Sequence, residues 1–265
     1  MNLEIARRDP SPRPAPSWTV KGDRRVLGED LVISELLGLV STRRDVWLVV
    51  LALLTTVLGT LVFATGSDRM GNVDEQTVPL LFAIQLSQVL VHVLVIRMVC
   101  ASWHGPGRWI GLVAQPARRR TLYAQAAVLG LIVLTVTIVQ LGVYFPFARA
   151  HALAMGEPFL LAGHFWGLLA IQLIGTLMLV AASAAIALLA VNVRGALALY
   201  LCSVPVLLFA RQAIGSLIGW FDPFQPAAAL AGTGPGAFTA IVSVLLWAGL
   251  VTYGVRRVLT RDIDS

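Results

Sequence analysis

Six long apolar stretches, joined by short segments alternately rich and poor in arginine, constrain this chain more than any other feature. They begin near Val46, Val78, Leu122, Phe165, Ala196 and Ala237. About 20 apolar residues rising 1.5 Å each cross a hydrocarbon core about 30 Å thick, so each stretch can span a bilayer. The chain is 57% hydrophobic and only 13% charged, against about 25% charged in a typical soluble domain. The expected fold is an all-α membrane protein with six transmembrane helices, and 265 residues leave little room for a soluble domain beside them.

Most of the 20 Lys and Arg residues fall in alternate segments. Arg7, Arg8, Arg13, Lys21, Arg24, Arg25, Arg43 and Arg44 precede the first stretch. Arg108, Arg118, Arg119 and Arg120 follow the second, Arg194 follows the fourth, and Arg256, Arg257 and Arg261 close the chain. The intervening segments hold Arg69, Arg149 and Arg211. Basic loops stay on the cytoplasmic side, so both termini are expected inside. The net charge of +6 then reports orientation and contact with anionic membrane lipids, not nucleic-acid binding.

Residues 1–26 carry charges and Pro10, Pro12, Pro14 and Pro16 without an apolar core, which predicts a flexible cytoplasmic leader and no cleaved signal peptide. Residues 27–45 predict an amphipathic interfacial helix. Asp30, Ser34, Glu35, Gly38, Ser41 and Thr42 share one side, and Val32, Ile33, Leu36, Leu37, Leu39 and Val40 the other. It is either an elbow receiving force from a cytoplasmic partner or a passive anchor. Residues 46–257 form the six-helix domain, and 258–265 a cytoplasmic tail. Cys100 and Cys202 sit in apolar runs without metal-ligand spacing, and no structural disulfide is expected.

The segment between the second and third stretches is the most informative. Gly105, Pro106 and Gly107 interrupt the second span, and Pro116 ends the helical run beyond them. Arg108 to Gln115 can make two helical turns, with Ile110, Val113 and Ala114 on one side and Arg118, Arg119 and Arg120 beyond. A short stiff helix of this kind suits a groove on another protein. Here the sequence resembles membrane subunits of ABC transporters of the type-2 exporter class. Their cytoplasmic stretch reads Gly-Thr, three variable residues, Leu-Leu-Ala, one variable residue, Pro, two residues, Arg. Gly107, Leu112, Ala114, Pro116 and Arg119 match; Val113 replaces Leu and Arg108 replaces Thr. Family glutamates before the Gly are absent, with Trp103 and Gly105 in their places.

The resemblance covers roughly residues 28 to 262 and implies an ATP-driven exporter of an amphipathic or hydrophobic compound in a bacterial plasma membrane. It implies a cytoplasmic coupling helix with Trp109, Ile110, Leu112 and Val113 as contact residues and Arg118 to Arg120 as electrostatic support. It also implies a second permease copy or a related permease as partner. For Gly215 to Gly236, with Trp220, Phe221, Pro223, Phe224 and Pro226, it implies two short outer helices that do not cross; an ordinary interfacial loop is the alternative.

Other chemistries find little support. Lys21, the only lysine, follows no Gly-rich run, so ATP and Mg2+ would be held by a separate cytoplasmic P-loop ATPase. His92, His104, His151 and His164 lack zinc spacing, and neither an intramembrane carboxylate pair nor a Gly-x-Ser-x-Gly elbow is present, so no metal site and no catalytic residue is expected. The span centres lack Asp and Glu, which weighs against a proton-driven carrier. Gln85, Gln88 and His92 share a face of span two, with Gln140 and Gln172 in spans three and four. They either hydrogen-bond between helices, the preferred reading, or line a substrate path. Arg97 is expected to snorkel to headgroups, and Gly163 and Gly167 to permit close helix approach. A non-transporting membrane scaffold or immunity factor is the alternative function.

Overall fold

The computed structural model describes residues 28–104, 118–190, 192–214, 218–234 and 236–260. The described elements are helices throughout. They are α1 (Gly28–Gly38), α2 (Arg43–Thr65), α3 (Val73–Ser87), α4 (Val89–His104), α5 (Arg118–Ala154), α6 (Phe165–Leu189), α7 (Val193–Ile214), α8 (Gln225–Leu230) and α9 (Ala237–Thr260). Single 3-10 turns at Leu160–His164 and Ile218–Trp220 precede α6 and α8.

Among the described residues, five helical stretches are long and apolar enough to cross a membrane: Arg43–Thr65, Val73–Trp103, Arg119–Ala154, Leu160–Leu189 and Ala237–Thr260. The second comprises α3 and α4 together. The chain is therefore a helical, multi-pass membrane protein. Helix α7 has 22 residues, and its described apolar stretch is Val193–Ser203.

The helix starts are written in local chemistry. Thr42 caps α2 by accepting from the Asp45 amide at 3.2 Å, and Asn72 caps α3 by accepting from the Glu75 amide at 2.8 Å. Glu75 in turn reaches back to the Gly71 amide at 2.9 Å, a near-relative of the capping box.

Helix α6 is the hub, packed by α3, α4, α5, α7, α8 and α9. Its run Ala181-Ala182-Ser183-Ala184-Ala185 presents little side-chain bulk, so neighbours approach closely. Its span is 56% buried, against 17% for those of α2 and α9, which turn large apolar residues outward. Trp47, Leu54, Leu58 and Val62 on α2, and Phe238, Ile241 and Leu245 on α9, are exposed. In lipid such surfaces carry no aqueous penalty.

The arginine-bearing helix ends gather at one end of the bundle. Arg97 Nη2 donates to Asp45 Oδ1 at 2.6 Å, which joins the C-terminal half of α4 to the start of α2. Thus Arg97 is held by a carboxylate, where snorkelling alone was expected. Trp103 Nε1 donates to Gln125 Oε1 at 2.8 Å, tying α4 to α5, and Arg257 Nη1 donates to the Leu189 carbonyl at 2.8 Å, tying α9 to α6. At the opposite end, Gln76 Nε2 donates to the Met70 and Pro158 carbonyls at 2.7 and 2.8 Å, while its Oε1 accepts from the Leu160 amide at 3.0 Å. The Tyr144 hydroxyl donates to the Gln76 carbonyl, and His151 Nε2 hydrogen-bonds the Ser67 carbonyl at 2.8 Å.

Three further expectations differ from the structure. The helix expected over 27–45 is divided, for α1 ends at Gly38 and α2 opens at Arg43. Its inward stripe is Val32, Glu35, Leu36 and Leu39, at i, i+3, i+4, i+7, so Glu35 lies with apolar neighbours while Ile33, Leu37 and Val40 are exposed. Gly163 and Gly167 have no neighbour within 4 Å of a Cβ position. Close approach occurs at Gly59 instead, where a Cβ would lie 2.6 Å from Ser87 Cβ, and at Gly175, where it would lie 3.1 Å from the Phe224 ring.

Candidate functional site

The second span is interrupted near its middle. Ser87 Oγ donates back to the Ala83 carbonyl at 2.5 Å, and Gln88 takes φ −89°, ψ 3° between α3 and α4. Such back-bonding competes with the helical ladder and bends the helix. Backbone groups released inside a membrane need new partners. The Thr56 hydroxyl of α2 supplies one, donating to the Ala52 carbonyl at 2.8 Å and reaching the Ser87 carbonyl at 3.5 Å. The missing side chain of Gly59 lets α2 come close enough for this.

Around the break, polar side chains from three elements converge. Gln88 Nε2 donates to Gln140 Oε1 at 2.5 Å and to Thr176 Oγ1 at 3.0 Å. Gln172 Nε2 donates to the same two oxygens, at 2.6 and 3.1 Å. Gln140 Nε2 donates to Ser87 Oγ at 2.9 Å. Gln88, Gln140, Gln172 and Thr176 are all fully buried. The amides thus saturate two acceptors and leave Gln88 Oε1 and Gln172 Oε1 buried without a partner.

His92, one turn further along α4, belongs to another pair. Its Nδ1 shares a hydrogen bond with the Tyr200 hydroxyl of α7, the rings meeting edge-on at 5.5 Å. Gln85 is partly exposed and takes no part in the network. Of the five polar residues singled out from sequence, three meet, one joins a different helix and one stands aside. Ser87, Thr176, Tyr200 and Gln76 were not singled out. Ser and Thr are common in apolar helices, and Gln76 falls before the apolar stretch begins, so only the unlike polarity of Tyr200 in an apolar run offered a signal. The network carries no formal charge and offers hydrogen-bond acceptors, not acid or base chemistry.

The other candidate site, Gly107, Arg108, Trp109, Ile110, Leu112, Val113, Ala114 and Pro116, lies outside the described residues. Its flanks are described: α4 ends at His104, Arg118 opens α5, and Arg119 and Arg120 are exposed. Beside them Trp103 is buried, and Glu35 accepts from Ser102 Oγ at 3.4 Å. Burial raises the Glu35 pKa above its ordinary value, against the lowering influence of Ser102 and Gln125. This cluster joins α1 to the helix ends that frame residues 105–117.

No family model, curated protein or solved structure matches the chain. A helical membrane protein with a buried glutamine network at a helix break is what the residues themselves define.

Proposed function

We propose that this chain is the membrane subunit of an ATP-driven exporter, moving an amphipathic or hydrophobic compound by alternating access. The observation that carries the proposal is the run Gly107, Arg108, Leu112, Val113, Ala114, Pro116 and Arg119 between the second and third apolar stretches. It is supported by the position of its flanks, which fall at the arginine-bearing end of the bundle. In this reading α7 is a sixth span and both termini are cytoplasmic. Helix α1 lies in the inner interface, and the Ile218–Trp220 turn and α8 dip into the outer one.

A separate P-loop ATPase would grip the 107–116 segment, with Trp109, Ile110, Leu112 and Val113 in contact and Arg118 and Arg119 nearby. A second permease copy or a relative would complete the path. ATP binding can move the bundle only if the ATPase contacts the two states unequally. Glu35, Ser102, Gln125 and Trp103 would then pass a shift of the docking segment to α1, α4 and α5. The central glutamines hold α3, α5 and α6 together, and their two unpaired oxygens would meet substrate donors only if the bundle parts. Ile110→Asp is expected to abolish co-purification of the ATPase while leaving membrane insertion intact. Undiminished co-purification removes the docking role, and labelling of a Cys placed at Gln115 by an impermeant reagent on intact cells removes the orientation.

A further inference from the structure

Arg149 stands in a groove of about 520 Å³ lined by Phe145, Pro146, Leu153, Phe159 and Ala162. It is exposed, and among the described residues it makes neither an ion pair nor a hydrogen bond. Glu157, the carboxylate nearest in sequence, points elsewhere, both its oxygens lying within 4.0 Å of the Cβ position at Gly71. A cation left unpaired in apolar surroundings calls for an anion that brings its own apolar part.

The position of Arg149 narrows the occupant. It and Arg119 share one continuous helix, α5, of 37 residues. About 30 residues separate them, or about 45 Å at 1.5 Å rise per residue. A bilayer with its headgroup layers is about 40–45 Å thick. With Arg119 at one headgroup layer, Arg149 falls at the phosphate level of the other. Aromatic rings mark the same boundary. Phe159, Phe145, Phe165 and Trp166 form a chain of edge-on contacts at 5.7, 5.5 and 5.4 Å, and Trp166 is 77% exposed. Aromatics of this kind gather at membrane interfaces.

We infer that this groove binds a phospholipid of the surrounding leaflet, its phosphate on Arg149 and an acyl chain along Phe145 and Phe159. The site rests on the membrane-spanning fold and is independent of the exporter reading. The guanidinium donates to phosphate oxygens, and the rings exclude water from the chain.

The test uses the full chain, purified in a non-ionic detergent and delipidated, with thermal unfolding and bound lipid measured on adding phosphatidylglycerol. Controls are a diacylglycerol with the same chains, which lacks phosphate, and inorganic phosphate, which lacks chains. Wild type is expected to be stabilised by phosphatidylglycerol alone. Arg149→Gln is expected to retain lipid about fivefold less well, the factor for losing one interfacial cation. Arg149→Lys should recover part of it, and Ala162→Trp, which fills the groove, should lose it with the cation intact. Equal retention by Arg149→Gln overturns the site, as does an equal response to diacylglycerol or to phosphate alone.

Discussion

Two buried glutamine centres, one at the arginine-poor end of the bundle and one at its middle, solve the same physical problem differently. Gln76 is complete. Its two N–H groups and its carbonyl oxygen reach three backbone groups of the loops at that end. Gln88 and Gln172 crowd their amide donors onto the same two acceptors, Gln140 Oε1 and Thr176 Oγ1, and leave their own carbonyl oxygens unpaired. A fully satisfied polar group in a dry interior acts as a staple, whereas a half-satisfied network is a place where structure can rearrange. The comparison separates a part of the protein built to stay from a part able to change partners.

The largest effect is expected at the staple. Gln76→Ala strands the Leu160 amide and two carbonyls, at about 1–3 kcal/mol per buried unsatisfied group. Thermal unfolding in detergent should show a large fall, with the loops at that end becoming protease-sensitive. Gly59→Val should come close behind. It drives a side chain into Ser87, and overpacking costs about 1–3 kcal/mol; a stability equal to wild type would mean that α2 does not seat on the break.

Gln140→Leu is expected to cost less, about 1–2 kcal/mol, since interhelical hydrogen bonds in membranes are worth about 0.6 kcal/mol on average. Combining it with Gln88→Leu and Gln172→Leu should recover stability, because removing donors and acceptors together leaves nothing stranded. If Gln140→Leu costs as much as Gln76→Ala, the contrast between the two centres fails. Tyr200→Phe should be smaller again, about 0.6 kcal/mol, read as a shift in unfolding midpoint.

The smallest effect concerns pH. Glu35 has its folded pKa raised by burial, so the protonated form is favoured when α1 is docked. Docking is therefore strongest at acidic pH and weakens as pH rises from the ordinary value of 4.5 through the raised one. Hydrogen exchange of α1 across that range should show this sign, and Glu35→Gln should flatten the profile.

Much of the fold was legible from residues alone, for a simple reason. Length and apolarity decide whether a helix can cross lipid, and both are properties of a contiguous stretch. The starts near Phe165 and Ala237 coincide with those of α6 and α9, and Gly105, read as a break in the second apolar stretch, directly follows the end of α4 at His104. The clustering of arginines at alternate segments likewise anticipated helix ends that meet at one end of the bundle.

Rotation of each helix about its own axis was not legible. In a soluble helix the apolar stripe declares which face turns inward; a helix apolar all round makes no such declaration, and lipid accepts whatever the core does not. Hence Gln85 and Gln88 look alike in sequence, as do Gly163 and Gly59, although one member of each pair is central and the other peripheral. A helical wheel sets Glu35 on the polar side because it cannot reveal that Ser102 and Gln125 await it. The chain's order of residues determined that it forms several helices long and apolar enough to cross a membrane. Only packing decided which polar groups meet, because a hydrogen bond between helices requires two rotations and one depth to agree at once.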